Sequence, residues 1–333
     1  MNSEKNNNLI IPERIQIESV FACNASCVMC PVHAPSERKK GVMKLELFKE
    51  IIDKLEPYKE KINKVDLWGL GEPLMDKKLN LKIKYAKEKG FKGIAIATNV
   101  ELLDEKTAIG LFEAGLDTII FSIDGVKKET HEGIRVDLNF ERVRKNAERA
   151  ILLRDKGGYS TRFVVRFIRQ ERNFKEWQAY FDYWSSRISK DKNDIIIRYD
   201  VHVWGGEIEN NGEINKKISQ VPAKIPCHHL FDRLMVLRDG TVPMCCSDMH
   251  HATHRFGNVK DQSPIEVFNN NIVKKYRDIH NSGKRLDMKI CSDCTILESE
   301  AAQSVSSPEE KKKITEVKKN SNTLKDKVAQ IVK

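Results

Sequence analysis

Residues 13 to 200 alternate between short β-branched runs and longer segments with helical periodicity, and this alternation leaves few folds open. Six runs are predicted as strands: Ile15–Val20, Lys64–Trp68, Gly93–Ala97, Thr118–Ile123, Arg162–Phe167 and Ile195–Val201. Because successive strand–helix–strand units form parallel pairs with right-handed crossovers, the pattern predicts an α/β fold around a parallel sheet. At this point an open sheet and a partial barrel satisfy it equally well.

The segments between these strands predict five helices. They lie near Lys44–Tyr58, Lys78–Lys89, Asp104–Ala114, Phe140–Lys156 and Phe174–Ser186. Gly90, Gly115 and Gly157 stand where three of the helices should end, as glycine commonly does after a helix. In both an open sheet and a barrel, ligands bind at the carboxyl ends of the strands. The residues that follow the strands are therefore the candidates for function.

The texture of the sequence changes after about residue 221. Cysteine, histidine and glycine replace the strand–helix alternation, with a short strand at Arg233–Leu237 and one helix near Pro264–Ser282. We predict an N-terminal tail (1–12), an α/β domain (13–204), a polar linker (205–221), a small cysteine-rich domain (222–298) and a charged tail with helical spacing (299–333). The cysteine-rich domain is expected to depend on metal for its stability rather than on a large core.

Composition limits the class of protein. No apolar run approaches the ~18 residues that cross a bilayer, and the N-terminus holds no stretch typical of a secretory signal. We therefore expect a cytoplasmic protein, in which the eight cysteines bind metal or take part in chemistry rather than form disulfides. The net charge of +10 favours an anionic partner, although a lysine-rich solvated surface explains it more simply.

Three cysteines follow the first predicted strand with the spacing Cys23-x3-Cys27-x2-Cys30. Three thiolates on one loop can hold an iron–sulfur cluster or part of a zinc site. Three ligands are one fewer than a closed tetrahedral site needs, so the pattern predicts an open metal position. An open position is where a substrate or cofactor can bind.

This spacing resembles that of the radical S-adenosylmethionine (SAM) superfamily, and the resemblance covers most of the chain. It implies a partial (β/α)6 barrel and a [4Fe–4S] cluster on Cys23, Cys27 and Cys30. In that family the free iron binds the amino and carboxylate groups of SAM, and an electron from the cluster cleaves SAM to a 5′-deoxyadenosyl radical. The resemblance also implies an external reductant such as flavodoxin or ferredoxin.

Motifs at the next three strand ends resemble the same family. Gly69–Pro73 is similar to its Gly-Gly-Glu-Pro turn, Thr98-Asn99 to its Thr-Asn-Gly motif, and Ser122–Gly125 to its Ser-Leu/Ile-Asp-Gly segment. The resemblance implies that Glu72 receives the methionyl ammonium and that Arg135 pairs with the cofactor carboxylate. The SAM-binding residues that it implies are Met29, Gly71, Glu72, Pro73, Thr98, Asn99, Ser122, Asp124 and Arg135.

A second cysteine group lies in the C-terminal part of the chain. It consists of Cys227, Cys245, Cys291 and Cys294, and four thiolates can hold either a structural zinc ion or a [4Fe–4S] cluster. The spacing resembles the twitch domain, a shortened form of the SPASM domain, and implies an auxiliary [4Fe–4S] cluster. Cys246 is left over, as a buried thiol, a shifted ligand or a hydrogen-atom donor.

Several functions fit these motifs. The first is dehydrogenation of a sugar- or cyclitol-like alcohol, in which the auxiliary cluster takes an electron and Asp200 or His202 is the candidate base. Alternatives are a radical epimerase with Cys246 as hydrogen donor, a ribosomal-peptide maturase and, in a different class, a zinc-stabilised RNA-binding protein. The last leaves Cys23, Cys27 and Cys30 unexplained and lacks interleaved aromatic residues. We expect a polar small molecule, anionic or neutral, as substrate, with neither membrane nor nucleic acid as partner.

Overall fold

A sheet of seven parallel strands forms the centre of the computed structural model, which describes residues 9–208, 224–301 and 304–305. The strands of the chain are β1 (Arg14–Ile17), β2 (Val20–Phe21), β3 (Gly41–Val42), β4 (Lys64–Asp66), β5 (Ile94–Thr98), β6 (Thr118–Ser122), β7 (Arg162–Arg169), β8 (Ile195–Asp200), β9 (Arg233–Val236), β10 (Thr241–Pro243), β11 (Arg255–Asn258) and β12 (Ser304–Val305). The parallel strands lie in the order β8-β7-β6-β5-β4-β1-β9, and β12 pairs with β8 in the antiparallel sense. The sheet therefore has two edges, as a partial barrel does.

The six predicted strands are confirmed as β1, β4, β5, β6, β7 and β8, with ends that differ by a few residues. The seventh parallel strand, β9, corresponds to the short strand that we assigned to the cysteine-rich domain. It pairs with β1 in the register Arg14↔Arg233 to Ile17↔Val236. The C-terminal part of the chain thus contributes one strand to the barrel sheet.

Eleven helices surround or follow the sheet in the described residues. They are α1 (Leu45–Leu55), α2 (Leu79–Glu88), α3 (Glu105–Glu113), α4 (Lys128–Ile134), α5 (Phe140–Lys156), α6 (Trp177–Ser185), α7 (His229–Asp232), α8 (Pro264–Phe268), α9 (Asn271–Asn281), α10 (Lys289–Ser292) and α11 (Ile296–Ala301). The five predicted helices of the first domain are confirmed as α1, α2, α3, α5 and α6. Helix α4 was not predicted, because its seven residues are too few to show an apolar period.

Alternation along the strands separates the core from the barrel interior. Ile15 and Ile17 of β1 are fully buried against the helices, whereas Arg14 and Gln16 line a cavity inside the barrel. The same division holds in β7, where Phe163 belongs to the core. The helical layer is therefore apolar, and the inner face of the sheet is free to carry polar residues.

The cysteine-rich part contains the β10–β11 antiparallel pair and helices α7 to α11. Helix α8 begins with a capping box formed by Ser263 and Glu266. Residues 1–8 and 209–223 lie outside the described residues, and the second of these ranges contains most of the predicted linker (205–221). Most of the charged tail, including its helical spacing after residue 306, lies outside them as well. Within the described part, no helix is long and apolar enough to cross a membrane.

Candidate active site

A cavity of about 620 Å³ occupies the interior of the barrel. Thr98 and Ser122 line it at the carboxyl ends of β5 and β6, and Arg14, Lys64 and Arg162 line it at the amino ends of their strands. The cavity therefore runs along the inner face of the sheet from one end to the other. Its volume lies in the range of small-molecule binding sites.

The loop after β2 carries Cys23, Cys27 and Cys30, and all three line this cavity. Two backbone hydrogen bonds hold the loop in place, because the Ser26 and Val28 N–H groups donate to carbonyls at the end of α4 and just after it. Burial raises the pKa of Cys23 to about 11 and that of Cys30 to about 12. Thiols in such a place become thiolates only when a positive centre binds among them, which suits a metal-ligand role.

Polar groups contact two of these sulfurs. The Arg135 Nη1 atom lies 3.7 Å from the Cys27 Sγ atom, and the Asn99 Nδ2 atom lies 3.9 Å from the Cys23 Sγ atom. Both are donors, and donors to thiolates stabilise a cluster's ligands. The three thiols, with hydrogen-bond donors beside two of them, therefore fit an iron–sulfur cluster with three protein ligands.

The spacing of the sulfurs argues against a single metal ion. Around one tetrahedral zinc ion, with Zn–S bonds of about 2.3 Å, thiolates lie roughly 4 Å apart. In the described part of the chain, the two groups of ligand atoms that lie within 4.8 Å of one another contain only histidine and glutamate. No three cysteine sulfurs of the described part therefore lie within 4.8 Å of one another, which fits a multi-iron cluster better than one zinc ion.

The Gly71–Glu72 turn packs directly under the cysteine loop. A Cβ atom at Gly71 would collide with the Val20 carbonyl oxygen and would lie 2.7 Å from the Ala22 carbonyl oxygen. The Glu72 N–H donates to that Ala22 carbonyl at 2.9 Å. Glycine is required at position 71 because two backbone segments meet there without space for a side chain.

The Glu72 carboxylate joins this turn to the end of β5. It accepts hydrogen bonds from the Thr98 hydroxyl (2.7 Å), the Asn99 N–H (2.7 Å) and the Leu74 N–H (3.1 Å). Burial raises the pKa of Glu72 to about 7, although these three donors favour the ionised form. The two motifs that the sequence linked to the cofactor are thus parts of one hydrogen-bonded unit.

Val100 follows this unit and occupies the position where the family motif has glycine. Its φ of 72° lies in the left-handed region, which β-branched residues rarely adopt. The side chain is fully buried in the core. The backbone therefore keeps the conformation that glycine favours, and packing of the valine offsets the strain.

Arg135 is held by Asp124 rather than free in the cavity. Its Nη2 atom lies 2.7 Å from the Asp124 Oδ2 atom, and both side chains are buried. Burial lowers the pKa of Arg135, but Asp124 and Cys27 outweigh it and raise the pKa above its usual range. Burial also lowers the pKa of the neighbouring His131 to about 3, so this imidazole is neutral. The guanidinium thus lies between Asp124 and the Cys27 sulfur.

Arg166 is a cavity residue that the sequence analysis missed. It extends from β7, and its Nη2 atom donates to the Ser122 hydroxyl at 2.5 Å. Among the side chains that the structure describes, no carboxylate forms an ion pair with it, and its Nε atom is buried without a partner. The sequence signal for Arg166 was its alternate position on the strand: Arg162, Val164 and Arg166 line the cavity, whereas Phe163 and Val165 between them belong to the core.

Most of the predicted SAM-binding residues lie together. Met29, Gly71, Glu72, Thr98, Asn99, Ser122 and Arg135 line the cavity. Pro73 and Asp124 do not, and Asp124 contacts the site through Arg135. The Met29 carbonyl accepts a hydrogen bond from the Trp204 indole at 2.9 Å, which ties the cysteine loop to the segment after β8.

The candidate bases Asp200 and His202 also line the cavity. The Asp200 carboxylate accepts two hydrogen bonds of 2.6 Å from Arg169. Burial lowers the pKa of His202 to about 4, and its Nδ1 atom accepts from the Trp204 N–H at 3.3 Å. His202 is thus neutral, and its remaining hydrogen is on Nε2.

The four later cysteines surround a second, small cavity. Cys227, Cys245, Cys291 and Cys294 all line it. His280 lies beside two of them: its Nδ1 atom accepts from the Cys227 N–H at 3.2 Å, and its Nε2 atom lies 3.7 Å from the Cys291 Sγ atom. Burial raises the pKa of Cys291 to about 12. Four thiols around one small cavity fit a fully cysteine-ligated cluster with no open position.

Cys246 lines both cavities. It is buried, and burial raises its pKa to about 11. Its sulfur belongs to an apolar cluster with Phe21, Leu70 and Met249. The leftover cysteine therefore lies in the wall between the barrel interior and the second cysteine group.

Two clusters of histidine and glutamate accompany these sites. In one, His250 Nδ1 and His251 Nε2 lie 3.2 and 3.1 Å from a Glu207 oxygen. In the other, His228 and His229 share Glu300. Hydrogen bonds to the carboxylates account for both arrangements.

Two known families match the chain, one over the barrel and one over the cysteine-rich part. A family model for the radical SAM superfamily matches residues 17–164, and a model for an iron–sulfur cluster-binding domain, SPASM, matches residues 227–295. The first match contains the cysteine loop and the motifs at the ends of the next three barrel strands. The second contains all four later cysteines. The cofactors are accordingly [4Fe–4S] clusters and SAM.

Curated relatives share only part of their sequence with this chain. Fe-coproporphyrin III synthase of Methanosarcina barkeri is 35% identical over 113 residues, which are 34% of this chain and 27% of that protein. A probable GTP 3′,8-cyclase of Methanococcus maripaludis is 30% identical over 161 residues, 48% of this chain and 51% of that protein. This chain thus matches between about a quarter and a half of the length of these relatives.

Solved structures share the fold over most of the chain. BtrN in complex with AdoMet and 2-DOIA has a TM-score of 0.58 at 19% identity, covering 85% of this chain and 93% of BtrN. Streptococcus suis SuiB bound to the precursor peptide SuiA has a TM-score of 0.62 at 14% identity, covering 89% and 72%. At these identities the similarity concerns the fold. The chain thus contains a radical SAM domain, matched over residues 17–164, and a SPASM iron–sulfur cluster-binding domain, matched over residues 227–295.

Proposed function

We propose that this enzyme dehydrogenates an alcohol of a polar, sugar- or cyclitol-like small molecule. The observation that carries the proposal is the barrel cavity, which has the cysteine loop at one end and polar residues on its inner wall. Cys246 lines this cavity and also the cavity of the second cysteine site, so the two sites are neighbours. A buried electron acceptor next to a substrate cavity suits an oxidation. The fold shared with BtrN, solved with AdoMet and 2-DOIA, supports a small-molecule substrate.

Cys23, Cys27 and Cys30 would hold the first cluster, and Cys227, Cys245, Cys291 and Cys294 the second. Bound there, the first cluster and SAM supply a 5′-deoxyadenosyl radical that removes a hydrogen atom from a substrate carbon. The chain's contribution is to hold SAM and substrate in contact and to exclude water from the barrel. The apolar cluster around Cys246 and Leu70 serves the second purpose.

Two arginines of the site have different roles. Arg166, with Ser122, binds the cofactor carboxylate, because a guanidinium with a buried Nε atom and no ion-pair partner in the described part of the chain favours an anion. Arg135 is committed to Asp124 and instead stabilises the Cys27 thiolate. The Glu72 carboxylate attracts the cationic end of SAM and keeps the Thr98–Asn99 segment in place.

Oxidation of a carbinol also needs a proton acceptor for the hydroxyl. Asp200 suits this role better than His202, because each of its oxygens keeps a lone pair beyond the Arg169 hydrogen bonds. His202 presents an Nε2–H donor, since its Nδ1 atom is occupied. Dehydrogenation would remove a hydrogen atom, a proton and an electron from the substrate. Bound SAM would supply the acceptor for the hydrogen atom, Asp200 would take the proton, and a cluster held by the four later cysteines would supply the acceptor for the electron.

Epimerisation is the second candidate, and the position of Cys246 favours it. A free thiol in the cavity wall can donate a hydrogen atom to a substrate radical. The resulting thiyl radical would then need one electron and one proton, the electron coming from an external reductant. The product would have the mass of the substrate.

The reaction can be assigned by turnover under anaerobic conditions, with reduced flavodoxin as electron donor and a panel of polyols and aminocyclitols. Dehydrogenation predicts a product with two hydrogens fewer than the substrate. It also predicts that Cys246→Ser turns over, because hydrogen donation is not required. A product of unchanged mass that takes up deuterium from heavy water, with turnover lost in Cys246→Ser, would replace this function by epimerisation.

We also propose a cytoplasmic location. The proposed clusters need cysteine thiolates as ligands, and a reducing compartment keeps thiols available for them.

A further inference from the structure

Three cations stand in a row at the floor of the barrel. Lys64, Arg14 and Arg233 are the first residues of β4, β1 and β9, which are neighbours in the sheet. They are register partners: Arg14 pairs with Lys64 on one side and with Arg233 on the other. Register partners point to the same face of a sheet, and all three residues line the cavity.

Protein groups neutralise this row only in part. Asp66 forms an ion pair with Arg14, and its Oδ1 atom lies 3.5 Å from the Lys64 Nζ atom. The Arg233 side chain has no hydrogen bond or ion pair with any residue that the structure describes, and its Nε atom is buried without a partner. Like charges at adjacent register positions destabilise a sheet, so an anion between them would be stabilising.

The walls above the row restrict what can bind. Trp68 covers two of the cations, with its ring centroid 5.6 Å from Arg14 Cζ and 5.7 Å from Lys64 Nζ. Gln16 follows Arg14 on the inner face of β1; it is 5% exposed, and its Nε2 atom donates to the Trp68 carbonyl. The Gln16 Oε1 atom is buried without a hydrogen-bond partner in the described part. Gln16 therefore brings an unpaired acceptor to the cavity wall, two residues along β1 from Arg14.

We propose that the Lys64–Arg14–Arg233 row binds an oxyanion of the substrate, a carboxylate or a phosphate, while Gln16 accepts a hydrogen bond from a substrate hydroxyl. The inference rests on the proposed function for the identity of the ligand as substrate. It narrows the substrate to a hydroxylated acid or a phosphorylated polyol. Arg166 and Ser122, at the other end of the cavity, remain for SAM.

The test is calorimetric titration of the reconstituted, cluster-loaded protein at constant ionic strength in chloride buffer. The probes are inorganic phosphate, pyrophosphate and succinate, with glycerol as the neutral control. We expect an oxyanion to bind and glycerol not to. Tighter binding of the phosphates would indicate a phosphorylated substrate, and tighter binding of succinate a carboxylate.

Substitutions locate the binding. Arg233→Met should weaken oxyanion binding by at least ~tenfold, because it removes the cation that lacks a protein partner. Arg233→Lys should keep most of the affinity, and circular dichroism checks that each variant is folded. Arg198→Met is the matched control, since Arg198 lies in β8 but packs against Trp177, 4.9 Å from its ring centroid, and does not line the cavity. Wild-type affinity in a folded Arg233→Met variant, or no oxyanion binding by the wild type, would overturn the proposal.

This outcome is independent of the radical chemistry. Oxyanion binding by a protein that fails to cleave SAM would keep the anion site and remove the proposed function. Cleavage without oxyanion binding would do the reverse.

Discussion

Glu72 illustrates at the scale of one residue how burial prepares a side chain for a charged ligand. Its carboxylate is almost fully enclosed, which raises its pKa to about 7. Three donors from Thr98, Asn99 and Leu74 hold it in place. A cationic cofactor would place a positive charge beside this carboxylate and so stabilise its ionised form. Binding of the cofactor and ionisation of Glu72 are therefore coupled.

This coupling predicts a pH dependence. The pKa of Glu72 in the free protein, about 7, lies above its ordinary value of 4.5, so the carboxyl group is largely protonated at pH 6 and largely ionised at pH 8. Since the ionised form favours cationic SAM, the affinity for SAM should rise across this interval, by up to ~tenfold per pH unit below the pKa. Equilibrium dialysis of SAM against the reconstituted protein measures it. Glu72→Gln should bind more weakly and without this slope, and a pH-independent wild-type affinity would refute the coupling.

At the level of single residues, the sequence brought forward those that a motif carries. The cysteine loop and Glu72 have characteristic spacing, and the structure brings them to one cavity. No motif marks Arg166 or Gln16. They line the cavity because alternate residues of β7 and β1 point into the barrel. The ion pair between Arg135 and Asp124 could not be read from the sequence either, since it depends on how α4 packs against the end of β6.

At the scale of elements, the cysteine loop and the Gly71–Glu72 turn form one backbone-packed unit. Gly71 touches the carbonyls of Val20 and Ala22, and the Glu72 N–H donates to the latter. A small change in either segment therefore moves the other. Positions of thiols and of the cofactor turn are coupled through backbone atoms alone.

Gly71→Ala should separate these segments. We expect a loss of SAM binding and a lower melting temperature, because the added Cβ collides with backbone that no side-chain rotation can relieve. Gly110→Ala is the matched control: its Cβ meets nothing within 4 Å, and alanine in place of a helical glycine contributes up to about 1 kcal/mol of stability. Differential scanning fluorimetry and SAM dialysis compare the two variants. If Gly71→Ala behaved like Gly110→Ala, the close packing of this unit would be wrong.

The elements themselves were mostly predictable. Six strands and five helices follow from apolar patterns long enough to show a period. The placement of β9 was not predictable, because the pairing of Arg14 with Arg233 joins residues far apart in sequence, and four residues carry no signal for their neighbour. The row of cations on β4, β1 and β9 depends on that pairing and could not be predicted from the sequence either.

At the scale of the whole molecule, the barrel and the cysteine-rich part share one sheet and one wall. Strand β9 completes the sheet beside β1, and Cys246 lies between the two cavities. The second cysteine site is therefore a neighbour of the substrate cavity rather than a remote module. Such proximity suits electron transfer from substrate to the second cluster.

This arrangement predicts two clusters in one chain. Anaerobic reconstitution should give roughly eight iron atoms per chain, since each [4Fe–4S] cluster holds four. Replacing Cys23, Cys27 and Cys30 together by alanine should leave about half of the iron and a visible cluster absorbance. Iron and sulfide analysis measures both. Zinc in place of the remaining iron would contradict the auxiliary cluster while leaving the first site intact.

The central claim is that the loop of Cys23, Cys27 and Cys30 supports radical SAM chemistry, and the most direct measurement is formation of 5′-deoxyadenosine from SAM under anaerobic conditions with dithionite. The wild-type protein should form it. Cys23→Ala, Cys27→Ala and Cys30→Ala should each abolish it, because each removes one of the three ligands that the cluster needs. Cys246→Ala is the matched control and should still form it. Formation of 5′-deoxyadenosine at the wild-type rate in all three ligand variants would contradict the account.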